Sequence, residues 1–527
     1  MAQKKRVALV GGGPTAVYTL KNLLQKADGL HVTIFEAGKV AGCGIPYSDE
    51  FNTPDMMANI TSVEIPPVMT SLADWVRSAD RRWLSKFGVR RDKVSDRDYY
   101  PRVLLGAYYV DQLEQMIRTA APWHQVDVKT ETRVLDIIPD GKGFELTIAN
   151  KEGKSSRRFN AVVLATGHLI EPTTSRASSR LYRSPYPVGN LELARDEAAL
   201  ILGSSLSAID AVVALAGRYG DFVGGDNDLS FRLQSSTKPR LVMVSRKGTV
   251  PDADFFYPIP EEPLMIFTRA KLEKLREEGR AGLLARSFAL FKQQLAADDP
   301  DFLKATALSR FTPEGFSEAY LEMRKSRQGF RAIAENLRQS QADYRDRRVV
   351  MWRYTMMRAH EVFATIVPFL DDQDLARFRQ YLAPVFADAY GCVPHLSLSR
   401  LLALHRAGCL DIVALEDAGT IRYRAGSFIL EADGLSATFG TLIDARGQKS
   451  ATISELGFET LDQALATDDV YRRASGQSED DQFRLRLVGQ PEADVFCISI
   501  PVMMERYPFA QGLVACSEAA ETVAAAI

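Results

Sequence analysis

The sequence has 527 residues, 46% of them hydrophobic and 25% charged, and a formal net charge of −2. A chain of this length exceeds what one hydrophobic core supports, so we expect two or three domains. The near-neutral charge argues against a general binder of nucleic acid or anionic membranes, although a local basic patch is compatible with it.

Cysteine usage and the N-terminus bear on the compartment. The five cysteines are scattered, without a CxxC pair or zinc-ligand spacing, which is typical of a reducing cytoplasm and predicts no metal site. The N-terminus becomes glycine-rich too early for a signal peptide, and the chain has no apolar run of about 18 residues. We therefore expect a cytoplasmic protein without a membrane span.

The first predicted element is a β-α-β unit. An apolar run at 5–10 leads into the turn GGGPTA at 11–16, then into the amphipathic stretch VYTLKNLLQKA and a second apolar run, HVTIFEAG. In such a turn the first glycine allows the tight bend, the second lets the backbone approach a pyrophosphate, and the small third residue lets the helix pack closely. The alternative is a glycine turn that serves packing alone. The predicted cofactor-binding residues are Gly11, Gly13, Pro14, Thr15 and Ala16.

Glu36 ends the second apolar run, where its carboxylate can accept hydrogen bonds from a ribose diol. A 2′-phosphate at this position would bring two anions together, so the expected ligand is FAD or NAD(H) rather than NADP(H). The stretch VVLATGH at 162–168 resembles the place where two-dinucleotide flavoproteins cross their cofactor a second time, which favours FAD. Thr166 and Gly167 are its candidate site residues; alternatively they only end a buried strand.

A second β-α-β pattern follows at 199–247, and it begins ALILGSSLSAIDA. It keeps the first glycine, Gly203, and the closing Ala208, but Ser205 replaces the middle glycine. The next apolar run ends at Arg246 and Lys247, a cationic pair that suits the 2′-phosphate of NADPH. The sequence predicts an NADPH site here; the alternative is a retained fold whose nucleotide site has been lost.

From 262 onward the chain is rich in Arg, Lys, Glu, Ala and Leu with helical periodicity. We interpret its charges as a solvated face, with a partner or substrate surface as the alternative. Arg353 and Arg358 either clamp a substrate carboxylate or form a solvated or ion-paired stripe. Strand-like segments return at 411–443, and the chain closes with a strand, a loop and a helix. The expected domains are 1–195 with 410–527 for FAD, 196–261 for NAD(P), and 262–409 as a helical lobe.

The motifs VALVGGGPTAVYTLKNLL, GCGIPYS, MMANITS, VVLATGH, YPVGNLE and ILGSSLSAIDAVVAL occur in an order that resembles the bacterial FAD/NAD(P)-binding family. The sequence is also similar to the flavin-dependent N-hydroxylating monooxygenases, including those that oxidise the amine of aspartate. The resemblance covers about residues 5–250. It implies an α/β fold with two Rossmann-like dinucleotide-binding domains, for FAD and NADP, and a largely helical insertion.

The same resemblance implies roles for further residues. Cys43 and Gly44 would pass beside the flavin, Asn59 would lie near the isoalloxazine, and Gly512 and Leu513 would open the last helix toward the pyrimidine edge of the flavin. Cys43 stands without a second cysteine beside it, so we interpret it as a small packing residue rather than a nucleophile. His168 is either structural or close to a cofactor.

The expected function is an NADPH-dependent monooxygenase. NADPH would reduce FAD, and the reduced flavin would react with molecular oxygen to form a C4a-hydroperoxide that hydroxylates a small amine or amino acid. The alternative is a non-catalytic or sensing flavoprotein with a lost second site and the helical lobe as an interaction surface. An oligomer is compatible with either function.

Overall fold

The computed structural model describes two sets of residues, which form two compact units. The first unit contains residues 1–54, 60–169 and 448–527, and the second contains 55–59 and 170–447. Within these the described residues are 4–141, 143–169, 174–176, 179–194, 197–225, 228–306, 312–415, 419–432, 435–465, 483–490, 492–505, 507, 509–510 and 512–527.

The strands, in chain order, are β1 (Lys5–Val10), β2 (Leu30–Phe35), β3 (Gln125–Lys129), β4 (Arg133–Pro139), β5 (Phe144–Asn150), β6 (Gly153–Phe159), β7 (Ala161–Leu164), β8 (Thr174–Arg176), β9 (Ser179–Tyr182), β10 (Ala198–Leu202), β11 (Gly220–Val223), β12 (Ser230–Leu233), β13 (Arg240–Ser245), β14 (Leu410–Ala414), β15 (Thr420–Arg424), β16 (Ser427–Ala432), β17 (Leu435–Phe439), β18 (Thr441–Asp444) and β19 (Val495–Cys497).

The helices are α1 (Pro14–Leu23), α2 (Gly44–Tyr47), α3 (Leu72–Ser78), α4 (Arg81–Ser85), α5 (Arg102–Thr119), α6 (Leu206–Ala216), α7 (Arg269–Glu277), α8 (Leu283–Asp298), α9 (Pro300–Thr306), α10 (Pro313–Lys325), α11 (Gly329–Asp346), α12 (Met351–Ala364), α13 (Asp372–Arg377), α14 (Ala383–Tyr390), α15 (His395–Arg406), α16 (Glu459–Ala464), α17 (Ile500–Met503) and α18 (Leu513–Ala526). Among the described residues, no helix is both long and apolar enough to cross a membrane.

The first unit is built on a parallel sheet with the order β3-β2-β1-β7-β19. Residues 7–10 of its central strand, VALV, are buried on both faces, as is usual for a parallel sheet covered on both sides. Helices α1 and α18 pack against each other, and the antiparallel layer β4-β5-β6 packs through Ile137, Phe144 and Leu146 on Val10 and Phe35. The central strand therefore holds the β1–α1 turn at a fixed edge of the sheet.

The second unit repeats this plan. Its sheet has the order β14-β13-β10-β18-β9, all parallel, with β8 antiparallel at the edge. Leu200 of β10 faces Leu430 and Phe439 of the antiparallel layer β15-β16-β17, whereas Ile201 belongs to the core formed with α6 and α15. This alternation has the two-residue period of a strand with both faces covered. Each unit is thus a Rossmann-like domain, as the sequence predicted.

The structure corrects the expected domain limits. We expected 410–527 to join the first domain, but 410–447 belongs to the second unit because β14 pairs with β13 and β18 pairs with β10. The described residues of 179–194 also belong there, since β9 pairs with β18. Helices α7 to α15 lie in the chain between β13 and β14, and the last of them, α15, leads into β14. The helical lobe is therefore an insertion within the second Rossmann domain.

Candidate dinucleotide sites

The first glycine turn joins β1 to α1 and depends on Gly11. This residue has a φ of +108°, and a Cβ built on it would overlap the carbonyl oxygen of Ala165, the residue after β7. Its N–H donates to the carbonyl of Phe35 over 2.9 Å. Only glycine meets both the conformation and the close approach, so Gly11 keeps three neighbouring strands in contact at this edge.

The first turn of α1 is suited to an anion. Gly13 is the N-cap residue and brings no side chain, and Pro14, the first helical residue, has no N–H. Thr15 and Ala16 are buried and follow in the first turn of the helix. Because of that position, their N–H groups lie at the positive end of the helix dipole. These features fit the pyrophosphate of a dinucleotide, which helix N-termini bind through backbone N–H groups.

Glu36 lies directly beside this turn. One carboxylate oxygen accepts a hydrogen bond from the Gly12 N–H at 3.0 Å, and the other accepts one from the Gly38 N–H at 2.6 Å. The carboxylate is therefore fixed next to the first glycine turn, just after the end of β2. This is the place from which an acidic residue contacts a ribose diol, so the predicted role of Glu36 is geometrically feasible.

The second turn, between β10 and α6, has the same backbone arrangement. Gly203 has a φ of +113°, and a Cβ built on it would lie 2.7 Å from the carbonyl oxygen of Ala445, the residue after β18. Its N–H donates to the carbonyl of Val244 over 2.7 Å, as Gly11 does to Phe35. The second turn is therefore an equivalent of the first and not a remnant that only looks similar in sequence.

Ser205 replaces a glycine without distorting the turn. It is the N-cap residue of α6 with φ −102° and ψ −162°, close to the extended backbone of Gly13, whose φ is −82°. Neither position requires a left-handed conformation, so the serine side chain adds bulk but no strain. Ala208 is fully buried, as its counterpart Ala16 is, and lets α6 pack closely on β10.

Arg246 and Lys247 directly follow β13. Arg246 is exposed and Lys247 is half-buried. Burial lowers the pKa of the Lys247 ammonium, with Asp388 acting in the opposite direction. The positive charge of Arg246 lowers that pKa further, which means that the pair repel each other and that an anion between them would be favourable.

Three further predicted site residues, Cys43, Gly44 and Asn59, follow the first β-α-β unit in the chain. Cys43 is buried and free, and burial together with the nearby Glu36 carboxylate raises the pKa of its thiol to about 11. Gly44 packs against the first turn, since a Cβ built on Gly13 would lie 3.3 Å from the Gly44 Cα. Asn59 is exposed and lies in the segment 55–59, which groups with the second unit, so its place beside a flavin stays a prediction.

The ATG stretch and the last helix have defined geometry in the first unit. Thr166 Oγ1 lies 2.5 Å from the hydroxyl of Ser499, a fully buried residue that the sequence did not single out. Gly167 is exposed. Gly512 is the N-cap residue of α18, and Leu513 is buried at the start of that helix. The role of Gly512 and Leu513 beside the flavin stays a prediction.

Sequence reasoning missed the counterpart of the ATG stretch in the second unit. Residues 445–447, ARG, follow β18 as 165–167, ATG, follow β7, and Ala445 donates to Leu202 over 2.8 Å where Ala165 donates to Val10 over 2.9 Å. Asp444 forms an ion pair with Arg446 at 2.6 Å. The signal was present in the sequence as a buried strand followed by Ala-x-Gly, in the same place relative to each glycine turn.

His168 lies beside the ATG stretch. Its Nδ1 is 3.2 Å from the Gln448 side-chain oxygen, and burial lowers the pKa of its imidazole. A neutral imidazole in a fixed hydrogen bond is what a structural histidine provides, although contact with a cofactor stays compatible with this position.

Comparison with known proteins assigns the chain to a family. The protein YdhS of Escherichia coli K12, itself described as uncharacterised, is 35% identical over 530 residues, which cover 99% of this chain and 97% of YdhS. This chain belongs to the YdhS family. The model of the YdhS-like middle domain matches residues 268–390, and the model described as FAD-NAD(P)-binding matches residues 8–169.

A solved structure of low sequence identity shares the fold. The reduced form of ornithine hydroxylase (PvdA) from Pseudomonas aeruginosa is similar with a TM-score of 0.52 and 13% identity, covering 99% of this chain and 98% of that one. The ornithine N-hydroxylase KtzI of Kutzneria sp. 744 has a TM-score of 0.49 and 12% identity, covering 99% and 98%. The family model confirms the resemblance to FAD-NAD(P)-binding proteins and their cofactor class, and the ornithine hydroxylase PvdA confirms the two-domain fold.

The YdhS-like middle domain coincides with most of the helical lobe, and its two singled-out arginines are structural. Arg353 is 5% exposed, lies 2.8 Å from the Cys392 sulfur and stacks its guanidinium over the Phe255 ring at 4.5 Å. Arg358 pairs with Asp298 at 3.2 Å and donates to the Glu262 carbonyl at 2.8 Å. Both guanidinium groups are buried and ion-paired, Arg353 with Asp252 and Arg358 with Asp298, so the ion-paired alternative is confirmed for them and a carboxylate clamp is not supported.

A half-buried histidine of the middle domain predicts a pH effect on stability. His360 stacks on Tyr390 with ring centroids 4.0 Å apart, and burial lowers the pKa of its imidazole to about 4. Because the folded pKa lies below the unfolded value near 6.5, the folded state binds fewer protons between these limits. Its contribution is complete above about pH 6.5 and is lost as the pH falls toward 4, by about 3 kcal/mol in total.

We expect His360→Phe, which keeps a ring on Tyr390, to flatten this pH dependence. Urea unfolding of both proteins at about pH 7.5 and about pH 5 measures it, since about 2 kcal/mol of the histidine contribution is lost over that interval. An equal loss of stability in the wild type and in His360→Phe would contradict the prediction.

Proposed function

We propose that this member of the YdhS family is an NADPH-dependent flavin monooxygenase that hydroxylates a small amine or amino acid. The observation that carries the proposal is the equivalence of the two glycine turns. Gly11 and Gly203 each have a positive φ, each donate to the neighbouring strand, and each leave no room for a side chain. A turn that only served packing would not need to keep all three features.

The two units are assigned different nucleotides. In the first, the N-terminus of α1 binds the FAD pyrophosphate and Glu36 binds its ribose. In the second, the N-terminus of α6 binds the NADPH pyrophosphate, and Arg246 and Lys247 bind the 2′-phosphate. When bound, FAD accepts electrons from NADPH and passes them to oxygen. The contribution of the protein is to bind and orient the reactants.

Two further observations favour hydroxylation over dithiol exchange. Cys43 is a buried, free thiol with a pKa raised to about 11, so it is protonated at neutral pH and is a poor nucleophile. The fold is shared with an ornithine hydroxylase, whose substrate carries a nucleophilic amine. A small amine or amino acid is therefore the substrate class to test, with molecular oxygen as co-substrate.

The proposal is tested by adding NADPH to the purified protein without oxygen and recording the visible flavin spectrum. We expect the flavin absorbance to bleach, and the subsequent addition of oxygen with a reactive amine to yield a hydroxylated product. A flavin that stays oxidised with NADPH and with NADH, in the presence of candidate amines, would contradict the proposal and support a non-catalytic flavoprotein. Reoxidation that yields only hydrogen peroxide would indicate an oxidase.

The nucleotide preference predicts the effect of one substitution. Arg246→Ala is expected to raise the KM for NADPH by about 10-fold and to leave the KM for NADH unchanged, because only NADPH carries the 2′-phosphate that the guanidinium binds. Steady-state NAD(P)H oxidation by wild type and variant measures both constants. An equal effect on the two coenzymes would show that Arg246 does not recognise the 2′-phosphate.

A further inference from the structure

The segment that connects α10 to α11 is attached to the residues that follow β13. We refer to the last two residues of α10 together with residues 326–328 as the α10–α11 turn. The side-chain amide of Gln328 donates to the carbonyl of Lys247 over 2.7 Å. Arg324, at the end of α10, donates to the carbonyl of Val250 over 3.1 Å. Two hydrogen bonds thus hold this middle-domain turn against residues 247–250, a segment that begins with Lys247 of the cationic pair.

The carboxylates near the turn are paired with a buried arginine, and Asp388 also exerts the largest charge effect on Lys247. Asp252 and Asp388 each form an ion pair with Arg324 at 2.7 Å, and Arg324 itself is 3% exposed. Burial alone would raise the pKa of Asp252, but the guanidinium groups of Arg353 and Arg324 outweigh burial and lower it. Both carboxylates are therefore engaged by the buried guanidinium of Arg324.

Several cations act on Lys247 against the Asp388 carboxylate. Besides burial, the charges of Arg246 and of Lys325 in the turn lower the pKa of its ammonium, against the opposing effect of Asp388. Arg327 is an exposed cation in the same turn, and its charge also acts on Asp252. Lys325 has a single weak partner, Glu322 at 3.5 Å, among the ion pairs of the described residues. Such a group of cations is stabilised by an anion of more than one charge.

We infer that the α10–α11 turn of the YdhS-like middle domain forms a second wall of the 2′-phosphate site, with Lys325 and Arg327 as specificity-determining residues. The inference rests on the proposed function, because it requires NADPH at the second glycine turn. It gives the inserted domain a role in choosing the coenzyme. Gln328 acts as a positioning residue, since it holds the turn through the Lys247 backbone.

The test is calorimetric binding of two probes to the FAD-loaded protein. The probes are 2′,5′-ADP and 5′-AMP, which differ by the 2′-phosphate alone. We expect Lys325→Ala and Arg327→Ala each to weaken 2′,5′-ADP binding by about 3- to 10-fold and to leave 5′-AMP binding unchanged. Arg338→Ala is the matched control, because Arg338 is an exposed cation about 14 Å further along α11.

Arg246→Ala distinguishes failure of the inference about the α10–α11 turn from failure of the NADPH assignment. If Arg246→Ala weakens 2′,5′-ADP binding while Lys325→Ala and Arg327→Ala behave like Arg338→Ala, the inference is overturned and the NADPH assignment stands. If the wild type binds 2′,5′-ADP no more tightly than 5′-AMP, the NADPH assignment fails and the inference fails with it. Loss of 2′,5′-ADP affinity in the two turn variants, with 5′-AMP unaffected, supports the inference.

Discussion

Gly203→Ala is expected to remove reduction by NADPH while FAD stays bound. Gly203 has a φ of +113°, and the new Cβ would lie 2.7 Å from the Ala445 carbonyl oxygen, which is itself fixed because the Ala445 N–H donates to Leu202. The backbone must therefore move, and the N-terminus of α6 moves with it. A shift of about 1 Å suffices to slow the reaction about 100-fold. Anaerobic stopped-flow reduction of the FAD-loaded variant measures the rate.

Gly279→Ala is the matched control in the same unit. Gly279 also has a positive φ, +129°, but in the described structure no heavy atom lies within 4 Å of a Cβ built there. This variant suffers the conformational strain without the steric overlap, so its rate of reduction by NADPH is expected to match that of the wild type. A Gly203→Ala protein that retains FAD and is reduced at the wild-type rate would place the NADPH site elsewhere.

The glycine turns were predictable because their signal is local. GGGPTA and GSSLSA each lie between a buried strand and a helix, and the spacing of their small residues predicts the backbone conformation of the turn. Ser205 looked like a defect in the sequence, since the consensus carries a glycine there. The structure shows an extended backbone at that position, so a residue with a side chain is accommodated. The sequence pattern does not distinguish a glycine needed for its φ from one needed for space.

The domain limits were not predictable in the same way because sheet order is a non-local property. Strands β10 and β18 are hydrogen-bonded neighbours, yet the whole middle domain separates them in the chain. Proximity to the C-terminal strand–loop–helix suggested instead that 410–447 belonged to the first domain. The repeat of an antiparallel layer before β7 and before β18 was the feature that could have corrected this.

For charged residues of the middle domain, the sequence pattern does not predict whether they are buried or solvated. Helical periodicity places Arg353 and Arg358 on α12, but their partners Asp252 and Asp298 come from outside that helix. No spacing rule connects these pairs, so a buried ion pair and a solvated stripe give the same sequence pattern. Only the three-dimensional structure separates them, and it also brings Lys325 and Gln328 close to Lys247.

Gly11→Ala is expected to abolish FAD binding and to destabilise the first unit. A Cβ at Gly11 would overlap the carbonyl oxygen of Ala165, and the residue has a φ of +108°. The conformational cost and the overlap together amount to about 2–5 kcal/mol. The measurements are the flavin absorbance that co-elutes with the protein in gel filtration, which should be lost, and urea unfolding, whose first transition should move to lower concentration.

Gly88→Ala distinguishes loss of FAD from general instability. Gly88 lies in the same unit with a φ of +70°, and among the described residues no heavy atom comes within 4 Å of a Cβ placed on it. This variant carries only the conformational cost of about 1–2 kcal/mol, so it should retain FAD. Retention of FAD by Gly11→Ala would contradict the assignment of the first turn. Loss of FAD from Gly11→Ala but not from Gly203→Ala would show that the first turn, and not its equivalent in the second unit, holds FAD.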